Sequence, residues 1–430
     1  MLELDTVLDG EVDETWKGMP GGLGPTPLRD IGKQGWNVLA EDLPFPLLVL
    51  KEAALANNLR VMADFCAHHR VLLAPHGKTT MAPQLFDRQL EAGCWGITVG
   101  SVEQLQVLRR VGVRRVILAN QAVGGANLAS LARSLDDSES ELFVFVDSVT
   151  EVQDLAVAAQ AAGSGRAFDV LAEVGYPGGR TGARSVVDLV AVAAAVEASG
   201  GSLRLAGVAG FEGLLPLARF STTGNEGPET GGVDEYIAAI GAGVDALRER
   251  LPEDFVVTAG GSAAFDAVIA GLRDRIDDPA RLVLRSGCYV THDHGMYSET
   301  SPLAAGNSAA ADTFGALEPA LELWAYVQSV PESGLAIVTC GRRDAPFDYG
   351  LPVPLRLVTR SGESRAVEGW TITNVNDQHG YMSVPAGHEP AVGDRVVLGI
   401  SHPCTAFDKW RLIPVVDDDY NVIDAIRTYF

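Results

Sequence analysis

Eight short apolar runs rich in β-branched residues recur between residues 71 and 285, each followed by a stretch with helical periodicity. They cover 71–75, 96–100, 116–120, 142–147, 170–174, 205–211, 255–259 and 282–285. Ser101-Val102-Glu103-Gln104 reads as a capping box opening a helix over 101–111, and the alanine-rich stretch 186–198 reads as another helix. Strands joined through helices must run parallel, and eight of them predict an α/β fold, a (β/α)8 TIM-type barrel. In that architecture chemistry is carried where the strands end. The residues just after each run are therefore the candidates.

The pattern changes near residue 305. An Ala/Gly/Ser/Asn stretch over 304–311 reads as a linker, and runs over 321–330, 334–340, 355–359, 370–375 and 394–400 have β composition, with turn signals at Ser361-Gly362 and Val392-Gly393-Asp394. The expected division is an N-terminal arm over 1–40, a barrel over 41–305 and a second, mainly β domain over 306–430. An early strand at 46–51, followed by a helix over 53–68, is expected to join the second domain, because the barrel already has its eight strands. The Gly/Thr-rich stretch 221–232 reads as a surface loop.

Composition narrows the function classes. With 47% apolar residues the chain can bury two cores, and a formal charge of −23 argues against a nucleic-acid partner. No apolar run approaches membrane-spanning length and the first residues lack a signal-peptide pattern, so a cytoplasmic location without a membrane partner is expected. Cys66, Cys94, Cys288, Cys340 and Cys404 are odd in number and scattered, which suits reduced thiols.

Lysine is scarce here: only Lys17, Lys33, Lys51, Lys78 and Lys409 occur in 430 residues. Lys78, in Pro75-His76-Gly77-Lys78-Thr79, sits at the end of the first run, and only lysine can form an imine with an aldehyde. Other strand ends supply His76, Asn120, Glu173 and Arg180 around the turn containing Tyr176, then Gly260-Gly261-Ser262 and Gly287-Cys288-Tyr289. A Gly-Gly-Ser turn entering a helix suits a phosphate, because successive N–H groups form a nest at an electropositive end.

Together these features resemble the fold-type III pyridoxal phosphate enzymes, and more narrowly the D-serine dehydratase and D-threonine aldolase family of the alanine racemase-like superfamily. Pro75-His76-Gly77-Lys78-Thr79 matches that family's lysine motif. Glu173-Val174-Gly175 continuing to Arg180-Thr181-Gly182 matches its arginine segment, and Ser401-His402-Pro403-Cys404 its metal-binding segment. The resemblance implies pyridoxal phosphate on Lys78, contacted by His76, Asn120, Tyr176, Arg180, Gly260, Gly261, Ser262, Gly287, Cys288 and Tyr289. It also implies a divalent metal, zinc by ligand type, on His402 and Cys404, with His379 near it as a catalytic group, and a homodimer. The activity implied is dehydration of D-serine or a related 3-hydroxy-D-amino acid to a 2-oxo acid and ammonia. Cys404 favours dehydration over the alternative, aldol cleavage. Phe211-Glu212-Gly213-Leu214, Gln378 and Cys340-Gly341-Arg342-Arg343 depart from the family's usual residues and leave the substrate side chain open.

The residues also have a rationale of their own. On an extended segment, residues two apart point the same way, and imidazole with thiolate is a zinc-binding pair. A reading from another class remains open: a zinc-dependent barrel hydrolase using His76, His292 and His294 without pyridoxal phosphate. The latter two histidines are otherwise expected in an exposed loop.

Overall fold

In a computed structural model, residues 2–217, 232–278 and 280–430 are described. Most of the stretch 221–232, read above as a surface loop, lies outside them.

Eight parallel strands, Leu72–Leu73, Ile97–Val99, Arg115–Gln121, Glu141–Val146, Phe168–Glu173, Leu203–Ala209, Val256–Ala259 and Arg281–Leu284, follow one another around a single sheet. Trp95 N–H donates to Leu73 O (2.7 Å), Thr98 N–H to Pro75 O (2.9 Å), and His76 bridges Thr98 in parallel, so the second strand meets the first and the barrel closes. Inward-facing Ile117, Phe143, Phe145, Leu171, Val256 and Val283 fill its interior, as alternation along each strand requires. Helices cover the outside. Ser101 caps the helix Val102–Arg110 as read, its Oγ accepting from Gln104 N–H (3.2 Å), while the Gln104 side chain reaches back one residue further and accepts from Gly100 N–H (2.9 Å) rather than from Ser101.

The second domain is a mainly antiparallel sheet organised on the long strand Leu321–Glu332, which pairs with Arg395–Gly399, Leu335–Val338 and the early strand Leu47–Lys51. Trp324 and Trp410 are fully buried in its core. Two strands absent from the sequence reading, Leu412–Val416 and Val422–Arg427, complete one side and pack against the N-terminal arm. The predicted linker is only partly irregular: Ala309–Phe314 is a helix, capped where Ser308 Oγ accepts from Ala310 N–H (3.1 Å). Small residues suit a loop and a short helix equally, and the capping serine decides in favour of the helix.

His292 and His294 do not lie in an exposed loop. Thr291 O accepts from Ala320 N–H and His294 N–H donates to Ile400 O (both 2.8 Å), which threads the segment between barrel and β domain. His292 is 3% exposed, and burial pushes both imidazoles down to about 4. Among the described residues no helix is long and apolar enough to cross a membrane.

Candidate active site

The first barrel strand runs through His76 into a single 3-10 turn, Gly77–Thr79, which carries Lys78 to the mouth of the barrel. Among the described residues the Lys78 amine has no hydrogen-bond or ion-pair partner. Beside it, His76 Nδ1 is buried without a partner. Burial, then the charges of Lys78, Arg285 and Arg180, hold this imidazole well below its ordinary pKa, so it is neutral. Gly287 must be glycine here, since a Cβ would come within 2.5 Å of His76 O.

Across the mouth, Glu173 ends the fifth strand and accepts from Gln121 Nε2 (2.6 Å), while burial raises its carboxyl above the usual range. Arg285 follows the eighth strand. It is 5% exposed, donates to Thr258 Oγ1 (2.8 Å) and Gly210 O (2.7 Å), and lies over the Phe145 ring. A buried guanidinium is costly unless its donors are met, and these two bonds hold it as a fixed positive charge under the site. Arg180 is exposed and stacks on Phe211, its guanidinium carbon 5.0 Å from the ring centroid.

The Gly260-Gly261-Ser262 turn is shaped as an anion nest, with Gly260 at φ +88°. Its two glycine N–H groups, expected to hold a phosphate, donate instead to one carboxylate: Gly260 to Glu212 Oε2 (3.1 Å) and Gly261 to Glu212 Oε1 (2.5 Å). Glu212 is fully buried, and its carboxyl is raised by that burial. Ser262 Oγ accepts from Cys288 N–H (3.3 Å) and retains its own proton for a further acceptor.

His402 and Cys404 come together, though not on an extended segment: His402-Pro403 turns into the short helix Cys404–Phe407. His402 Nδ1 lies 2.7 Å from Asp348 Oδ2, and Asp348 Oδ1 accepts from Thr405 Oγ1 (2.8 Å). The Tyr349 ring stands edge-on to the imidazole at 5.0 Å. Burial alone would lower the His402 pKa, but the Cys404 sulfur and the Asp348 carboxylate push it up to about 10. Cys404 Sγ is 3.4 Å from Cys288 Sγ and 3.3 Å from Thr79 Oγ1. The hydrogen bond with Cys288, then the charges of His402 and Lys78, hold the Cys404 thiol well below its ordinary pKa, while Cys288 is raised well above its own, first by that same bond. Cys404, His402 and the Lys78 amine therefore share one site.

The remaining residues of the motifs are placed as follows. His379 is exposed in the turn between the strands Thr371–Val375 and Gly380–Ser383, and within the described chain it touches neither Lys78 nor His402. Tyr289 points away from the mouth, its hydroxyl within reach of Gln89 Nε2 (3.3 Å) and Cys94 Sγ (3.8 Å). Asn120 is exposed at the third strand's end and donates to Gly100 O (3.0 Å). Tyr176 packs on Tyr236, whose hydroxyl links Phe211 N–H to Val174 O and ties the fifth and sixth strand ends together. Nor do His76, His292 and His294 assemble: among the described residues no three His, Cys, Asp or Glu side chains converge on a metal position. That removes the ligand set of the barrel hydrolase.

Asp348, Arg285 and Glu212 were not singled out as site residues. Arg285 carried a signal, an arginine directly after an apolar strand. Asp348 lies far from His402 along the chain, and no local spacing marks it.

The free amine of Lys78, the unpartnered His76 Nδ1 and the remaining donor of Ser262 fit a carbonyl cofactor with an anionic tail, and His402 with Cys404 fits a zinc ion that keeps open positions. A closed barrel with a lysine at its first strand end, joined to a β domain that brings a histidine and a cysteine to it, defines a class. Residues 50–273, more than half of the chain, match the alanine racemase N-terminal domain, and the chain belongs to that family. Residues 320–416 match the putative serine dehydratase domain. The chain is similar to a D-threonine aldolase of Arthrobacter sp (29% identical over 378 residues, 87% of this chain and 89% of the relative). It is also similar to a D-threo-3-hydroxyaspartate dehydratase of Delftia sp. strain HT23 (25% over 381 residues, 84% and 91%). The solved D-threonine aldolase of Filomicrobium marinum superposes with a TM-score of 0.74 at 25% identity, covering 92% of this chain and 97% of that one.

Proposed function

We propose that the chain is a pyridoxal phosphate- and zinc-dependent lyase of 3-hydroxy-D-amino acids that removes the β-hydroxyl, yielding a 2-oxo acid and ammonia. The observation that carries this reading is the contact between Thr79 and Cys404, which sets the unpartnered amine of Lys78 beside the imidazole–thiolate pair. Both relatives named above act, by their names, on D-amino acids hydroxylated at the β carbon.

Lys78 would hold pyridoxal phosphate, which would supply an electron sink that acidifies the α-proton, and His402 with Cys404 would hold zinc, which would supply a Lewis acid for the β-hydroxyl. Lys78 Nζ, with no partner to displace, is the group that takes and returns the α-proton. Asp348 fixes the His402 ring through Nδ1 and leaves Nε2 for the metal. Arg285 holds a permanent positive charge beneath the site, and neutral His76 adds none. Ser262 presents a hydroxyl to the anionic tail.

Aldol cleavage is the second reading, favoured by the 29% identity to the Arthrobacter aldolase. The same residues would hold the cofactor and the metal, and the chemistry the metal would then supply is acidification of the β-hydroxyl proton.

Chelation tests the reading. Protein stripped with EDTA should keep its bound cofactor and lose turnover, and zinc should restore it. Cys404→Ala should behave like the stripped protein and fail to respond to zinc. Full turnover by Cys404→Ala after chelation would remove the metal from the mechanism.

A further inference from the structure

We propose that Cys288 and Cys404 form an oxidisable pair, in which a peroxide oxidises Cys404 and Cys288 then closes a disulfide with it. The two sulfurs stand 3.4 Å apart, and a bond of about 2.05 Å requires an approach of only ~1.4 Å. Thr79 Oγ1 contacts both, at 3.8 Å from Cys288 Sγ and 3.3 Å from Cys404 Sγ, and holds them on the same side of the first strand's turn. The remaining cysteines have no such arrangement: Cys94 contacts the Tyr289 hydroxyl, and Cys66 and Cys340 are buried elsewhere.

Access assigns the roles. Cys404 is partly exposed at the site mouth and meets the oxidant, whereas Cys288 is 5% exposed and acts as the resolving thiol. In the first step the Cys404 sulfur attacks hydrogen peroxide, an S–O bond forms as O–O breaks, and water leaves with the sulfenic acid behind. In the second, the Cys288 sulfur attacks Cys404, S–S forms as S–O breaks, and the hydroxyl leaves with the Cys288 proton as water. Two thiols and one peroxide become one disulfide and two waters, with two electrons passing from sulfur to oxygen.

The consequences are mechanical and chemical. Cys288 follows the last barrel strand and Cys404 belongs to the β domain, so the bond staples the two domains across the site. It also withdraws the Cys404 sulfur as a metal ligand, and this second consequence alone rests on the function proposed above.

The test is covalent and needs no turnover. The protein as purified is titrated with hydrogen peroxide, its free thiols are alkylated, and non-reduced peptides are mapped by mass spectrometry. The expected product is a peptide pair linked through Cys288 and Cys404, lighter by two hydrogens and released by dithiothreitol, with Cys66, Cys94 and Cys340 still alkylated. Cys288→Ser should take Cys404 on to sulfinic acid that dithiothreitol does not reverse. Cys288→Ala, checked for folding by circular dichroism, should do the same. Sulfinic acid on Cys404 of the wild-type protein without a linked peptide, full alkylation of both thiols, or linkage to a different cysteine would each overturn the proposal.

Discussion

Asp348 Oδ2 lies 2.7 Å from His402 Nδ1, and the contact joins a segment of the β domain to a histidine far along the chain. It selects the tautomer and orientation of a ring whose other nitrogen is left for a metal. Partners of this kind typically set metal affinity by about 10- to 100-fold. Asp348→Asn should therefore weaken zinc binding by that order, measured by competition with a chromophoric chelator, while leaving the melting temperature of the zinc-free protein close to wild type. Unchanged zinc affinity would make the contact purely structural.

Lys78→Ala removes the amine at the end of the first barrel strand. The variant should fold, show no visible band from lysine-linked pyridoxal phosphate, and lose turnover by several orders of magnitude. Lys78→Arg should fail equally, since a guanidinium keeps the charge but cannot form an imine. Absorption spectra of the purified variants decide it.

Glu212 satisfies two buried N–H groups at the Gly260-Gly261 nest. Glu212→Ala leaves both donors without a partner, at a cost of about 1–3 kcal/mol each, and should lower the melting temperature of the cofactor-free protein. Inorganic phosphate should raise the melting temperature more in the variant than in the wild type, because the two glycine N–H groups of the nest become open to an added anion only in the variant. Equal phosphate effects on both proteins would show that the nest is not the place where it binds.

Glu151 tests the electrostatics of the buried carboxyls, since the charges of Asp147 and Glu173 both reach it. Burial, its first cause, pushes the carboxyl up to about 8, although Asp147 N–H donates to it (3.0 Å). The folded value lies above the ordinary 4.5, so the folded state binds the proton more tightly. Its contribution to stability is then complete below pH 4.5 and is lost as pH rises through about 8. Glu151→Gln, which keeps an acceptor for Asp147 and cannot ionise, should flatten that part of the curve in urea titrations at several pH values. An unaltered pH slope would mean that the carboxyl is ordinary.

The barrel was legible because its signal is repeated. Eight apolar runs with helical spacers carry one message, and the capping contacts at Ser101 form where the sequence places them. Lys78 stands out because arginine has displaced lysine almost everywhere else, and His402 with Cys404 because only Pro403 separates them. Relations between distant segments were not legible. No local pattern ties Asp348 to His402, Glu212 to Gly261 or Cys288 to Cys404, since each pair meets only once the strand ends are brought around the barrel mouth and the β domain closes on them. Tyr289 and His379 show the converse: both stand in the expected motifs, yet one turns into the core beside Cys94 and the other faces outward.

The central claim is tested most directly by one incubation. The purified protein, with pyridoxal phosphate and zinc, is mixed separately with D-serine, D-threo-3-hydroxyaspartate and D-threonine while its visible spectrum is recorded and the products are identified. The account predicts a visible band of lysine-linked cofactor that changes when substrate is added, with a 2-oxo acid and ammonia appearing in equal amounts. Glycine and an aldehyde, formed from D-threonine with no 2-oxo acid from any substrate, would replace the dehydratase by the aldolase. A protein that stays colourless with added pyridoxal phosphate and leaves every substrate intact would contradict the account.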